Sequence, residues 1–157
     1  MKVLLAIGGV IVSYGILIVV RLALKATGLT AMETSGVDVL SIQTETTGLI
    51  ASLTVLMAPF TEELVFRHVL FFQWRHRGAL TWLMFVVSSI LFGLAHWNNF
   101  NGEVIQMIPY MAVGAWYALI YYWSKNIWQA IATHFLFDFM GFAGALLVFI
   151  MALFGIG

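Results

Sequence analysis

The chain has 157 residues, of which 62% are apolar and only 9% charged, against about 25% charged in an ordinary soluble domain. A compact monomer of this composition lacks the hydrated groups to cover its surface, which excludes a freely soluble protein and makes lipid the solvent. Seven basic and seven acidic side chains cancel to a formal net charge of zero, so no broad basic face offers itself to nucleic acid. Cysteine is absent, which excludes disulfides, thiolate nucleophiles and cysteine-type zinc sites.

The length accommodates about five membrane crossings of roughly 20 residues each with short connections. The expected fold is therefore all-α, a polytopic transmembrane helical bundle of about five to six membrane helices. No soluble domain fits beside them, so residues 1–157 read as one integral membrane domain.

The first apolar run extends from Val3 to Val20, flanked by Lys2, Arg21 and Lys25. It has no small-x-small cleavage site near its end and more membrane-grade sequence follows, so it reads as an uncleaved span. From Thr27 to Thr47 the chain turns polar, with Glu33, Asp38 and Glu45, and reads as a connector holding one short interfacial helix.

Apolar sequence resumes at Gly48 and continues to Trp74, interrupted by Pro59. Proline lacks a donor and disfavours helix at the residue before it. A helix ending near Met57 and a new one with Pro59 in its first turn is the preferred reading, with Thr61, Glu62 and Glu63 in that first turn, where acids are favoured. Arg75, His76 and Arg77 close the segment as a cytoplasmic basic cluster. Further spans are expected at Ala79–Trp97, Val104–Trp123 and from Ile127 onward. They are separated by a polar turn around Asn98–Glu103 and by Lys125-Asn126. Arg75, Arg77 and Lys125 fall on one side of the membrane, Glu103 on the other. Most tryptophans lie near helix ends, as an interfacial belt does.

An ionised group at the centre of a membrane helix costs about 2.5–3.5 kcal/mol even on lenient scales, so the polar groups inside these runs require explanation. Glu63 and Arg67 are four apart with the acid first, the favourable order for a helical ion pair. Glu62, about 100° around the helix, is left needing a partner from elsewhere, and His96 and His134 are the imidazoles on hand. His134 and Asp138 share one face of the last helix by the same spacing, as do Phe92 and His96. Turned inward, these faces would form one polar pocket holding Glu62, His96, His134 and Asp138.

Three chemistries could use it: a carboxylate-activated water with an imidazole steadying the oxyanion, a zinc-bound water, or proton relay in transport. No HExxH pattern is present, and the chain shows no duplicated half such as transporters use. Singly, each residue has a plainer role: Glu63 with Arg67 as a scaffold ion pair, His68 and His76 as packing or interfacial groups, His134 as a satisfied interior imidazole, Phe92 as core.

Together the residues resemble a known family. Pro59-Phe60-Thr61-Glu62-Glu63-Leu64-Val65-Phe66-Arg67 looks like an EExxxR motif, Phe92-Gly93-Leu94-Ala95-His96 like FxxxH, and His134-Phe135-Leu136-Phe137-Asp138 like HxxxN/D. Three such motifs in this order on separate membrane helices resemble the CPBP family, the CAAX proteases and bacteriocin-processing enzymes, also called Abi, over roughly residues 48–140. The resemblance implies a multi-pass protein of the cell membrane acting as an intramembrane endopeptidase on a peptide or membrane-protein substrate. It implies that Glu62 and His96 activate water, that His134 and Asp138 stabilise the oxyanion, and that Glu63, Arg67 and Phe92 support the site. No metal or other cofactor is expected, zinc being the second choice.

Two positions depart from the family pattern. His68 stands where glycine is common, and would crowd a helix contact or add a second imidazole. Asp138 stands where asparagine is frequent, and an ionised carboxylate cannot donate to an oxyanion. The other functional reading is a non-enzymatic membrane protein of the same fold giving immunity to bacteriocins.

Overall fold

The computed structural model describes residues 3–29 and 53–155. In chain order these form α1 (Val3–Ala26), α2 (Ala58–Glu62), a π-helical stretch (Glu63–Val69), a 3-10 turn (Phe72–Trp74), α3 (Ala79–Leu94), a second 3-10 turn (Trp97–Phe100), α4 (Val104–Ser124) and α5 (Ile127–Leu153). No strand occurs among the described residues, and the helical bundle expected from composition is what forms. α1, α4 and α5 are long and apolar enough to cross a membrane, whereas α3 is a shorter apolar helix of 16 residues. The interfacial helix expected within 27–47 lies outside the described residues except at its first positions.

Local chemistry sets the boundaries. α1 continues through Arg21 and Lys25 rather than ending at Val20, because the Thr27 hydroxyl bonds the carbonyls of Ala23 and Leu24 and Gly28, at φ +68°, supplies the left-handed turn. Pro59 does stand in the first turn of α2. The helix starts at Ala58, however, so Glu62 and Glu63 come after its first turn, not in it. Below them the new helix expected from Pro59 gives way to π and 3-10 turns down to Trp74. Asn126 caps α5 by accepting from the Trp128 N–H at 3.0 Å, directly after Lys125 has ended α4 in the left-handed conformation.

Packing follows the small residues. A Cβ at Gly93 would fall 2.2 Å from Met111 Cγ and 3.0 Å from its backbone nitrogen, so α3 and α4 touch backbone to backbone there. α1 buries Ala6, Gly9, Val10, Ser13 and Leu17 against α4 and α5 and leaves Leu4, Ile11 and Ile18 exposed, the two faces a helix at the edge of a membrane bundle requires. The carbonyl of Gly9 accepts from the Trp116 indole at 3.0 Å. Trp116 therefore belongs to the bundle rather than to the interfacial belt, while Trp82, Trp97, Trp123 and Trp128 are exposed. One buried cluster joins Leu17, Phe92, Val113 and Tyr117, and the candidate site rests on it.

Candidate active site

The π-helical stretch follows directly on Glu62. Its wider turns are seen where the Leu70 N–H bonds Val65 O at 3.0 Å, one residue further back than in an α-helix. The Ser88 hydroxyl of α3 donates to the Phe66 carbonyl at 2.5 Å, satisfying a group whose α-helical partner has gone elsewhere. In an α-helix residues four apart are offset by about 40°. A wider turn brings Glu63 and Arg67 closer to alignment along the axis. Both are fully buried, with Arg67 Nε 3.3 Å from Glu63 Oε2.

Glu63 has a second partner. Its Oε1 accepts from His134 Nδ1 at 3.0 Å, which fixes the tautomer of that ring and leaves Nε2 facing the remaining acids. Nε2 lies 3.6 Å from Asp138 Oδ2 and 3.9 Å from Glu62 Oε2. Of these acids Glu62 is the most accessible, with 25% of its side chain exposed against 12% for Asp138 and none for Glu63.

Phe92 is the hub of the arrangement. The Arg67 guanidinium lies 3.9 Å from its ring centroid, a cation–π distance. The rings of His134 and His96 stand edge to face with Phe92 at 5.5 and 5.3 Å. His96 is placed by the end of α3. There the His96 N–H turns to Gly93 O, leaving the Phe92 carbonyl to accept from the His96 ring at Nδ1, 3.0 Å away. That bond leaves the Nε2 lone pair free. His96 lies within electrostatic reach of Glu62 and His134.

The three motifs thus converge. Glu62, Glu63, Arg67, Phe92, His134 and Asp138 lie in direct sequence of contact, and His96 joins them through Phe92. His68 does not add an imidazole to this group. It pairs with α4, its Nδ1 2.7 Å from the Tyr121 hydroxyl.

Other groups at the site carry no signal in the three motifs. Tyr117 stacks on His134 with centroids 4.7 Å apart, and Tyr110 packs on His96 at the same distance. Gly114 faces Phe92, and a Cβ there would come within 2.7 Å of Phe92 Cδ1 and 3.3 Å of Arg67 Nη2. Tyr110, Gly114 and Tyr117 recur at helical spacing on α4, as Gly9 and Ser13 do on α1. Such runs of small and polar residues on one face are the signal that would have found them.

The donor set suits a zinc ion poorly. Among the described residues no group of three or more His, Asp or Glu side chains is arranged to hold a metal ion.

A family model described as type II CAAX prenyl endopeptidase Rce1-like matches residues 44–140. The chain belongs to this Rce1-like family. The matched segment contains all three motifs and ends just after Asp138, close to the span over which the motifs show their resemblance. Members of the Rce1-like family are CAAX-protease-like intramembrane endopeptidases, in keeping with apolar helices long enough to span a bilayer. A protein of Mycoplasma capricolum subsp. capricolum, described as uncharacterized, is 35% identical over 74 residues, 47% of this chain and 20% of that one. The similarity thus spans about a fifth of that relative's length. No solved structure matches the chain.

Proposed function

We propose that this chain is an intramembrane endopeptidase, a multi-pass protein of the cell membrane that hydrolyses a peptide bond with a water activated by Glu62 and His96. The observation that carries the reading is the placing of the most accessible carboxylate, Glu62, 3.9 Å from an imidazole nitrogen whose other nitrogen is held by a fully buried acid.

In this mechanism the Glu62 carboxylate takes a proton from water as its oxygen bonds to the substrate carbonyl carbon, helped by the free Nε2 of His96. The carbonyl electron pair moves onto oxygen. His134 in its imidazolium form donates through both nitrogens, Nδ1–H to Glu63 and Nε2–H to the new oxyanion. Asp138, an acceptor when ionised, holds His134 in place. Glu62 then returns the proton to the amine as the carbon–nitrogen bond breaks. Arg67 and Phe92 keep Glu63 and both imidazoles in position. The substrate is a peptide or membrane-protein segment that enters from the bilayer. Residues 1–157 act as one membrane domain, since α1 packs on the same core as the motif helices.

Replacing Glu62 by glutamine tests the reading in proteoliposomes supplied with an internally quenched CAAX peptide, prenylated or not. Hydrolysis should fall by at least about 10²-fold while membrane insertion and thermal stability are unchanged. Full hydrolysis by Glu62→Gln would overturn the mechanism. Exhaustive chelation should leave the wild-type rate intact, and zinc lost together with activity would replace the carboxylate mechanism by a metal one. A bacteriocin-immunity role without catalysis would instead show as protection of cells that survives Glu62→Gln.

A further inference from the structure

The His134 ring is hydrogen-bonded at one nitrogen only. Nδ1 bonds Glu63 Oε1 at 3.0 Å, whereas Nε2 stands 3.6 Å from Asp138 Oδ2 and 3.9 Å from Glu62 Oε2, beyond ordinary hydrogen-bond length. The last side-chain torsion of a histidine has a broad well. A bond at Nδ1 therefore leaves the ring able to rock, and rocking re-aims the Nε2–H that the oxyanion requires.

The contact that opposes this motion comes from α4. The Tyr117 ring lies on the imidazole with centroids 4.7 Å apart and planes 28° from parallel, a stacked pair. Phe92 closes on the imidazole edge to face at 5.5 Å. Rocking drives the imidazole into the stacked ring, because packed interiors leave little room to yield.

Tyr117 itself has nowhere to go. It is fully buried, in a cluster with Leu17, Phe92 and Val113. Its ring meets Phe92 edge to face at 6.2 Å, and the Arg67 guanidinium carbon lies 5.6 Å from its centroid. The Glu62, Glu63 and Asp138 carboxylates meet His134 at its nitrogens, and Tyr117 meets its face.

We infer that Tyr117 is a positioning residue, whose ring face locks the plane of His134 so that Nε2–H is aimed at the oxyanion formed beside Glu62. Tyr117 gives up no proton and forms no bond in the reaction. It acts through His134 alone. The stack uses the ring face, so phenylalanine serves the role and an aliphatic side chain does not.

This inference rests on the hydrolytic reading above, and the experiment separates the two. The kcat and KM for the quenched CAAX peptide, prenylated and unprenylated, are measured in proteoliposomes for wild type, Tyr117→Leu, Tyr117→Met and Tyr117→Phe. Tyr122→Leu is the control, since it removes a ring of the same helix that packs on Phe71 and Trp82 instead. Misplacing a catalytic group by a small distance costs about 10²-fold, so Tyr117→Leu and Tyr117→Met should lower kcat by that order with KM little changed. Tyr117→Phe should restore most of the loss. Tyr122→Leu should lower the unfolding midpoint without lowering kcat. Groups that act as a unit do not add, so in a His134→Gln background Tyr117→Leu should lower kcat no further.

Wild-type kcat in Tyr117→Leu, an equal loss in Tyr117→Phe, or the full additional loss in the His134→Gln background overturns the role of Tyr117 and leaves the hydrolytic reading standing. Failure of both ringless variants to fold would make Tyr117 a packing element and overturn the role as well. Failure of the wild type to hydrolyse either peptide overturns both.

Discussion

Glu63 and His134, 71 residues apart in sequence, are joined by a buried hydrogen bond of 3.0 Å, and the same carboxylate meets Arg67 through its other oxygen. One acid therefore ties a cation on its own helix to an imidazole on α5. Removing one member of a buried ion pair strands the other charge, at about 3–5 kcal/mol, whereas replacing both by apolar groups is often nearly neutral. Glu63→Leu and Arg67→Met should each lower thermal stability in detergent by an amount of that order, and the double variant should recover much of it. A double-mutant cycle on unfolding midpoints measures the coupling, and additive losses would contradict it.

The close approach at Gly114 leads to a second expectation. A methyl group at that position meets the Phe92 ring at 2.7 Å, and overpacking of this kind costs about 1–3 kcal/mol. Gly114→Ala should lower stability in that range and reduce peptide hydrolysis as well, since both imidazoles rest on Phe92. Gly15, which has open space around it, provides the comparison: Gly15→Ala should leave the unfolding midpoint and the rate near wild type.

At Gly9 an added Cβ would lie 2.7 Å from Thr133 Cγ2 and 2.9 Å from its hydroxyl. Gly9→Ile should therefore push α1 away from α5. Cysteine is absent from the natural sequence, so paired spin labels at exposed Ile11 and Met140 report this spacing directly. The distance should lengthen in Gly9→Ile, and hydrolysis should fall with it. An unchanged distance would mean that the helices do not meet at this glycine.

The charge pattern also predicts orientation. Arg75, Arg77 and Lys125 are expected in the cytoplasm and the Asn101 turn on the opposite side. Single cysteines at Arg77 and Asn101 should label with a membrane-impermeant maleimide in opposite compartments, Asn101 from outside intact cells and Arg77 only after permeabilisation. Labelling of both from one side would refute the assignment.

Much of the architecture is legible in local sequence. Lys125-Asn126 announced the α4–α5 turn, and Pro59 the start of α2, because helix ends depend on the few residues that make them. The four-residue spacings placed Asp138 beside His134 and Arg67 beside Glu63, which a helix dictates by itself. The second bond of Glu63, by contrast, depends on how α5 lies against the π-helical stretch. His68 pairs with Tyr121, and Tyr117 stacks on His134, through contacts between distant parts of the chain that no local spacing encodes. The π-helical turns themselves were hidden for the same reason, since their freed carbonyl is satisfied by Ser88 from another helix.

That hydroxyl makes the phase of the acidic motif a property of two helices. A turn that carries an additional residue puts the segments before and after it out of step, so Glu62 faces as it does only while the wide turn persists. Were the same residues to rewind as a regular α-helix, at about 100° per residue, everything upstream would rotate relative to Arg67. Glu62 would then point elsewhere although every named motif residue was still present. Spacing within this segment is thus as much a requirement of the site as the identity of its acids.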